Sequence, residues 1–336
     1  MSILSFMSYR AESFGFLKSG EEILKITISN EVASFSILTL GATISSFSLK
    51  MKSGFRDVVC SSTTLSGYIN DKTYKGEIIA PNANRIAKAT FTLEGHKYQL
   101  DVNNGENNLH SGSANAGYKV WDILFNTDNS VVLNTSIKDG EGGFPGNTGV
   151  TVTYALKETT LEISYTISSD KDTPINPTNH VYFNLHGRKE SIKDHLVKMN
   201  ADRYILVNKN LIPTGCESVK GSDFDFNTQT AIGERRDGKY DNCFIFPDNE
   251  KPYVSISSDG LTLLVETDRK GMQIYSGEFF SVPDSPWGAL SSFEGVALET
   301  SGYPDAVNNP SFPSVILKKG EVFKSKTSYT LKEDNK

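Results

Sequence analysis

Hydrophobic and polar residues alternate along most of the chain with a period of two. This alternation is typical of strands in a sheet that buries one face. It recurs at residues 23–28, 32–40, 43–49, 89–93, 97–100, 121–125, 130–137, 150–156, 161–168, 196–201, 204–207, 254–257, 261–267, 272–275, 296–300 and 323–331. No window of the sequence keeps an apolar period of about 3.6 residues between two helix caps. The pattern therefore predicts an all-β protein, with the polar segment 60–75 as a loop that holds one helical turn.

The strand-like segments follow one another closely, which favours antiparallel hairpins over parallel crossovers. Residues 29–31 and 41–42 are turn-forming and separate the first three segments. The sequence shows no alternation of strands with helices, no repeat of fixed period and no Pro/Gly/Ser linker. We expect a single large domain over residues 1–336, built as an antiparallel β-sandwich.

Composition narrows the functional classes. The net charge of −6, without a cluster of Lys and Arg, argues against a nucleic-acid partner. The three scattered cysteines lack Cys-x-x-Cys spacing and fit a reducing compartment. Residues 1–10 do not have the basic flank and apolar core of a signal peptide, and no apolar run approaches the ~20 residues of a membrane span. We therefore expect a soluble cytoplasmic protein with no membrane partner.

Residues 176–185 (Asn-Pro-Thr-Asn-His-Val-Tyr-Phe-Asn-Leu) combine a turn, a histidine and a short strand. Asn176-Pro177 favours a turn because proline fixes its own φ and restricts the residue before it. The β-branched and aromatic residues that follow predict a strand with His180 at or just before its first residue. An imidazole titrates near roughly pH 6.5 and can transfer protons at working pH. A lone histidine is more often structural, so this segment alone leaves both interpretations open.

Several other polar residues lie in loops or at strand ends, where they could bind a ligand. Asn84-Arg85 pairs an amide with a rigid fork of donors, and Glu299 follows an apolar strand. The remaining candidates of this kind are His110, Asp241 and Gln273. Each one alone is also consistent with a solvated or structural side chain. The glycine-rich loop 139–146 lacks the Lys-Ser/Thr ending of a phosphate-binding loop, which argues against nucleotide binding.

Four motifs, taken in order, resemble the aldose 1-epimerase (galactose mutarotase) family. They are Asn-Arg-Ile-Ala at 84–87, Asn-Gly-Glu-Asn-Asn-Leu-His at 104–110, Pro-Thr-Asn-His-Val-Tyr-Phe-Asn-Leu at 177–185 and Leu-Glu-Thr-Ser-Gly-Tyr-Pro-Asp at 298–305. The resemblance extends from about residue 9 to residue 331 and implies a twisted β-sandwich that holds a sugar in an open cleft. It implies Glu299 as the catalytic base and His180 as the catalytic acid. The residues that it implies for sugar binding are Asn84, Arg85, His110, Tyr182, Asp241 and Gln273.

Four positions depart from the family pattern. Ser111 stands where glycine is usual, Ser301 where glutamine is usual, Phe144 where tyrosine is common and Glu278 where asparagine is common. None of these changes removes a proposed proton carrier. We expect Ser301 and Glu278, which lie near site residues in the sequence, to affect the sugar preference more than the reaction.

The implied reaction opens a cyclic hemiacetal and closes it again on the other face. A carboxylate takes the proton of the anomeric hydroxyl while an imidazolium protonates the ring oxygen. No metal, nucleotide or redox cofactor is expected, and the sequence contains neither His-Glu-x-x-His nor a dinucleotide fingerprint. The expected partner is a free monosaccharide such as galactose or glucose, bound by a monomer or a homodimer. His186 and His195 are expected to be structural.

Two other functions stay open at this point. An epimerase of phosphorylated or otherwise modified sugars would need an additional basic cluster, which the sequence does not reveal. A carbohydrate-binding protein on the same scaffold could have lost catalysis, although the presence of both Glu299 and His180 argues against this.

Overall fold

The computed structural model describes residues 7–334. The first six residues, part of the segment predicted not to be a signal peptide, lie outside this range. The described chain is dominated by antiparallel strands, which confirms the all-β prediction. One α-helix, Leu65–Ile69, falls inside the segment predicted to hold a helical turn, and the Thr64 side chain caps it by accepting the Gly67 N–H. None of the helices in this part of the chain has the length and apolarity to cross a membrane.

Three large sheets account for most of the strands. The first contains, in spatial order, Ser8–Phe16, Glu22–Ser29, Ala33–Leu38, Thr43–Met51 and Gly54–Asp57. The second contains Asp122–Asn126, Ser130–Ile137, Thr148–Lys157, Thr160–Ser169, Val322–Glu333, Leu261–Thr267, Tyr253–Ser258, Leu196–Met199 and Thr230–Ala231. The third contains Tyr182–Phe183, Val296–Ser301, Gly271–Tyr275, Asp241–Ile245, Arg203–Val207 and Pro213–Ser218.

Smaller elements connect these sheets. The two-stranded sheets pair Arg85–Ile86 with Asn108–Leu109, Ile78–Ile79 with Thr178–Asn179, Thr90–Leu93 with His96–Gln99, and Thr173–Pro174 with Ile316–Leu317. Single 3₁₀ turns lie at Ala87–Ala89, Gly112–Ala114, Ala116–Tyr118, Glu141–Gly143, Ile192–Asp194, Ile232–Glu234, Arg236–Gly238 and Ala306–Asn308.

The nine-stranded sheet packs against both other large sheets, which produces the sandwich. Its strand Thr148–Lys157 alternates buried and partly exposed residues, as a sheet with one covered face must. Tyr154 on this strand packs against Phe35 of the five-stranded sheet, with ring centroids 6.3 Å apart. Tyr329 packs in the same way against Phe183 of the six-stranded sheet, at 5.2 Å. Large aromatic side chains therefore join the layers.

Some strands were missed because their sequence pattern is not strand-like. Ser8–Phe16 is a sheet edge without apolar alternation, and it is held by its backbone pairing with Glu22–Ser29. Asp241–Ile245 is buried on both faces from its second residue onward, which removes the alternation. The strand predicted to run on from His180 is limited to Tyr182–Phe183. His96 is the exposed first residue of the strand His96–Gln99.

The Asn176 side chain joins two segments that are distant in sequence. It is almost fully buried. Its Oδ1 accepts the Gly302 backbone N–H at 2.6 Å and the Arg269 Nη2–H at 2.7 Å. Gly302 directly follows the strand that carries Glu299, so this amide fixes the end of that strand.

The Asn176 backbone holds a second segment in place. Its N–H donates to the Pro81 carbonyl at 2.7 Å, and its carbonyl accepts the Ala83 N–H at 2.7 Å. The next two residues along the chain are Asn84 and Arg85. Asn176 therefore sets the position of the Asn84-Arg85 loop relative to the strand that carries Glu299.

Replacing Asn176 with alanine should lower the free energy of unfolding by about 2–4 kcal/mol, because a buried N–H and a buried guanidinium lose their common acceptor. Urea unfolding followed by circular dichroism measures this loss. Asn176→Asp is the matched control, since it keeps an acceptor oxygen and faces the Arg269 cation. It should lose less than half as much, and equal losses in the two variants would show that the acceptor is unimportant.

Candidate active site

Side chains from well-separated segments meet in one cleft of about 220 Å³. The structure brings together seven of the eight residues that the sequence predicts for the site. Those that line the cleft are Asn84, Arg85, His110, His180, Tyr182, Asp241 and Glu299. Gln273 lies just behind this wall, where its Nε2 donates to Asp241 Oδ1 at 2.6 Å. Gln273 therefore contacts a residue that lines the cleft but does not line the cleft itself.

The six-stranded sheet provides one side of the cleft. Glu299 is buried in the strand Val296–Ser301 and lies opposite Gln273 in the neighbouring strand. The expectation that Glu299 ends its strand is wrong, because pairing continues to Ser301, opposite Gly271. Tyr182 comes from the adjacent edge strand. A side chain anchored inside a sheet has little freedom to move, which suits a group that must hold a fixed position.

His180 lies between the two-residue strands Thr178–Asn179 and Tyr182–Phe183. Its backbone is held on both sides, because its N–H donates to the Glu77 carbonyl at 3.0 Å and its carbonyl accepts the Gly76 N–H at 2.9 Å. The ring centroid is 5.1 Å from that of Tyr182. His180 Nε2 lies 3.4 Å from Glu299 Oε1, and both side chains are almost fully buried. The two expected proton carriers are therefore in contact.

His110 is held as a hydrogen-bond donor. The Asn84 backbone N–H donates to His110 Nδ1 at 3.2 Å. Nδ1 is then the acceptor nitrogen, and Nε2 carries the proton of the neutral ring. Burial lowers the pKa of His110 well below its ordinary value, and the neighbouring His180 and Arg85 lower it further. His110 therefore presents a neutral imidazole N–H.

Arg85 contributes a guanidinium group to the lining of the cleft. Its Nε donates to Asn104 Oδ1 at 3.0 Å, and its backbone N–H is capped by the Asn84 Oδ1 at 2.7 Å. The Arg85 charge lowers the pKa values of Asp241 and Glu299, which opposes the effect of burial on both. Its charge therefore favours the ionised forms of both carboxyl groups.

Burial changes the charge state of the proton-carrying pair. It raises the pKa of Glu299 from 4.5 to about 8, with a further contribution from the nearby Asp241. Burial also lowers the pKa of His180 from 6.5 to about 4. Both shifts favour the uncharged forms. At neutral pH these shifts favour a carboxylic acid beside a neutral imidazole, whereas the resemblance implied a carboxylate and an imidazolium. Transfer of one proton interconverts the two states.

Three potential ligand atoms for a metal, from His110, His180 and Glu299, lie within 4.8 Å of one another. A metal ligand must offer a lone pair. The His110 lone pair at Nδ1 already accepts the Asn84 N–H, so its other nitrogen is a donor. This tautomer suits hydrogen bonding to a hydroxyl group and does not fit metal coordination by His110.

The cleft also contains residues that the sequence reasoning missed: Lys72, Thr73, Tyr74, Leu109, Leu211, Tyr275 and Phe279. Tyr275 had a usable signal, because it lies two residues from Gln273 on one strand and therefore on the same face. Tyr74 had no such signal. It lies in a loop at a φ of 59° and packs its ring 4.5 Å from that of His110.

The departures from the family pattern lie outside the cleft lining. Ser301 donates its hydroxyl to the Gly302 carbonyl at 2.8 Å, and Glu278 pairs with Lys239 at 2.9 Å. Any influence of these two on sugar preference is therefore indirect. Ser111 has a φ of 68°, a left-handed conformation in which glycine is favoured. Its hydroxyl compensates by hydrogen bonding to both backbone groups of Asn82.

His195 occupies a structural position away from the cleft. Its Nε2 accepts the Leu185 backbone N–H at 2.9 Å, and its Nδ1 lies 3.1 Å from Asp194 Oδ1. His186 Nε2 approaches the same carboxylate oxygen at 3.0 Å.

An all-β protein with a strand-built cleft, a buried carboxyl–imidazole pair and a lining of amide, guanidinium and aromatic groups has the features of a sugar isomerase that uses acid–base chemistry. The sequence matches the family described as Aldose 1-epimerase over residues 24–330. The chain belongs to the aldose 1-epimerase family, whose members interconvert the α and β anomers of aldoses, and it is an isomerase of this kind.

Relatives and solved structures agree with this assignment. The chain is 35% identical to a galactose mutarotase from Bos taurus, over 92% of this chain and 94% of the bovine protein. It is 32% identical to an aldose 1-epimerase from Escherichia coli K12, over 92% of this chain and 95% of that protein. A crystal structure of an aldose epimerase homologue from C. elegans superposes with a TM-score of 0.86 at 25% identity, covering 91% of this chain and 97% of the other.

The raised pKa of Glu299 predicts a pH-dependent stability difference between the wild type and Glu299→Gln. A carboxyl group whose pKa is raised on folding binds its proton more tightly in the folded state than in the unfolded state. Its contribution to stability is therefore greatest at pH values below the pKa of the unfolded state, and it is lost as the pH rises through the pKa of the folded state. From about pH 5 to about pH 8, the variant should gain at least about 2 kcal/mol of unfolding free energy relative to the wild type. Urea titrations at each pH measure this gain.

The exposed carboxyl of Glu31 provides the control for this experiment. Glu31→Gln removes the same charge without changing a buried group, and its stability should follow that of the wild type across the pH range. A Glu299→Gln profile parallel to the wild type would mean that Glu299 is not held protonated by the fold.

Proposed function

We propose that this protein is a mutarotase of free aldohexoses such as galactose and glucose, and that Glu299 and His180 exchange protons with the sugar. The proposal rests chiefly on one observation, the 3.4 Å contact between His180 Nε2 and Glu299 Oε1 inside the cleft. Two neighbouring titratable groups can exchange protons with O1 and O5, the two oxygens bonded to the anomeric carbon, without a net change in the enzyme.

The reaction begins when Glu299, in its ionised form, takes the proton of the anomeric hydroxyl. His180, in its protonated form, gives a proton to the ring oxygen, and the C1–O5 bond breaks. Rotation about C1–C2 presents the other face of the aldehyde, and the same two groups reverse their roles as the ring closes. A hydroxyl that donates to Glu299 favours its ionised form, so sugar binding shifts the resting pair towards the charge state that the reaction needs.

The other cleft residues hold the sugar and support this charge state. Arg85 stabilises ionised Glu299, and the neutral His110 donates an N–H to a ring or hydroxyl oxygen. Asp241, held by Gln273, accepts hydrogen bonds from sugar hydroxyl groups. Asn84 and Tyr182, the other predicted sugar-binding residues, also line the cleft and complete the binding surface.

Two alternatives are weaker. A phosphorylated sugar needs a cationic cluster, and the cleft offers the cations Lys72 and Arg85. The Arg85 Nε donates to Asn104. The two cations share the cleft with the acidic groups Asp241 and Glu299, which would repel a phosphate. A non-catalytic sugar-binding protein has no need of two buried titratable groups in contact, since burial of each has a cost in stability.

The remaining expectations belong to the same proposal. We propose that residues 1–336 act as one domain, as a monomer or a homodimer in the cytoplasm, without a nucleic-acid or membrane partner and without a cofactor. The acidic net charge of −6 supports the absence of a nucleic-acid partner.

Glu299→Gln should lower kcat for galactose mutarotation by ~10²-fold or more, because the amide keeps the size of the side chain but cannot accept the proton. The KM should change far less, since an amide still hydrogen bonds to the anomeric hydroxyl. Polarimetry with freshly dissolved α-galactose measures both constants. His180→Asn should have a similar effect, and the double variant should lose much less than the product of the two single losses.

The pH profile checks the same pair in an independent way. The wild type should show a bell-shaped dependence of kcat/KM on pH. The low-pH limb should reflect mainly the titration of His180, and the high-pH limb mainly that of Glu299. Glu299→Gln should lose the upper limb. If Glu299→Gln only weakened sugar binding or stability and kept wild-type turnover, Glu299 would be a structural brace and the proposed mechanism would be wrong.

Free galactose and glucose should be converted at least about 10-fold more efficiently than glucose 6-phosphate, because the carboxyl groups of Asp241 and Glu299 in the cleft disfavour a bound phosphate. Polarimetry on the three sugars at equal concentration measures this ratio. Lys72→Ala is the matched variant, and it should leave activity on the free sugars within about twofold of the wild type. Turnover of the phosphorylated sugar alone would replace this proposal with the modified-sugar epimerase.

A further inference from the structure

A second cavity, of about 310 Å³, adjoins the sugar cleft. Tyr74 lines both spaces. The volume is in the range of small-molecule sites, which begins at roughly 300 Å³. The reaction proposed above uses no residue of this cavity other than the shared Tyr74 wall.

The walls of the second cavity are mainly apolar and aromatic. Leu17, Leu40 and Ile69 form the apolar part, and Tyr68 and Tyr118 add two aromatic rings to that of Tyr74. Ile69 and Tyr118 are each about half exposed, at 52% and 54%, so the cavity is open to solvent at this rim. Such a lining fits a small ligand with an apolar body.

Two carboxyl groups, those of Asp71 and Glu77, lie in the wall of this cavity, and in the described part of the chain Glu77 is the one with a free oxygen. The Glu77 carboxyl group is held by one hydrogen bond among these residues. Its Oε1 accepts the Asn115 Nδ2–H at 2.8 Å, whereas its Oε2 has no hydrogen-bond partner within residues 7–334. A Cβ atom on Gly117 would lie 2.4 Å from the Glu77 Cδ. The glycine at 117 therefore leaves the space that the carboxyl group occupies, and one carboxyl oxygen is available to a ligand.

The other charged groups of the cavity compensate each other. Lys75 Nζ lies 2.8 Å from Asp71 Oδ1 and donates to the Gly67 carbonyl at 2.8 Å. The same ammonium lies 5.4 Å from the centre of the Tyr68 ring, so the cavity already contains one cation–π contact. Glu77 forms no salt bridge within residues 7–334, and a cationic ligand would complement its ionised form.

We propose that this cavity binds a small organic ammonium ion, with its cationic head between the Glu77 carboxylate and the Tyr74 and Tyr118 rings and its apolar part against Leu17 and Leu40. A carboxylate combined with tyrosine rings is the lining that recognises alkylammonium and quaternary ammonium groups. A neutral ligand of the same shape would gain no charge–charge attraction from ionised Glu77.

The proposal carries its own pH dependence. Burial raises the pKa of Glu77 from 4.5 to about 8, Asp71 raises it further, and Lys75 and the Asn115 amide lower it. Tyr74 and Tyr118, which also face this carboxyl, stay uncharged because burial raises their pKa values above the ordinary 10.0. Binding of a cation therefore requires Glu77 to release its proton, and affinity should rise between about pH 6.5 and about pH 8.5.

Choline is a suitable test molecule, because its charge does not change with pH. We expect isothermal titration calorimetry at about pH 8.5 to show saturable choline binding with a Kd in the millimolar range. The neutral carbon isostere 3,3-dimethyl-1-butanol should bind at least about 10-fold more weakly. Choline affinity should fall at least about 5-fold when the pH is lowered to about 6.5.

Three variants locate the binding. Glu77→Gln should weaken choline binding at least about 10-fold and abolish its pH dependence. Tyr118→Leu, a substitution at a half-exposed position that leaves the carboxyl intact, should weaken it about 3-fold or more. Glu31→Gln removes an exposed charge elsewhere and should bind choline as the wild type does.

Several results would overturn the proposal: no saturable binding up to about 0.1 M choline, equal binding of the neutral isostere, or equal binding by Glu77→Gln and the wild type. These measurements detect binding and not turnover. A failure here would leave the proposed mutarotase function untouched, and a failure of that function would leave this site untouched.

Discussion

The contact between Glu299 and His180 is the constraint on which the rest of the site depends. Two ionisable groups 3.4 Å apart, both almost fully buried, cannot both carry their ordinary charges without a large cost in desolvation. The fold keeps this pair in place with rigid supports: a central strand position for Glu299 and backbone hydrogen bonds on both sides of His180. A looser scaffold would let either group turn towards solvent and recover its hydration.

The supports of this pair are connected through Asn176. One amide oxygen holds the segment after the Glu299 strand, and the backbone of the same residue holds the loop that precedes Asn84 and Arg85. Arg85 in turn opposes the effect of burial on Glu299 and Asp241. The electrostatic balance of the cleft therefore depends on a hydrogen-bonded junction outside it, because a small displacement of the Arg85 loop would change the charge environment of both carboxyl groups.

The sequence predicted the fold best where one face of a strand is buried and the other is solvated. Ser130–Ile137 and Leu261–Thr267 match their predicted bounds for this reason. The strand Asp241–Ile245 was not predicted, because burial on both faces removes the alternating pattern. The strand Ser8–Phe16 was not predicted, because an edge strand can be held by backbone pairing alone. Local patterns carry no information about either situation.

The site residues were predicted from motifs whose meaning came from family resemblance. The same motifs could not predict that Gln273 contacts Asp241 from behind the cleft wall, or that Tyr74 enters from a loop, because both facts depend on packing between distant segments. Nor could they predict the charge state of the pair. The pKa values of Glu299 and His180 are set by burial and by neighbours that only the folded chain brings together.

Glu77 and Glu299 allow a comparison within one molecule. Burial raises the pKa of each to about 8, so each carboxyl group lowers the stability of the folded state at alkaline pH in the same way. Glu299 has an imidazole that can share its proton, and Glu77 has only an amide donor on one oxygen. Tyr74 lines both cavities and packs against the rings of both His110 and His180. A ligand in the second cavity would therefore contact a ring that also packs against His180.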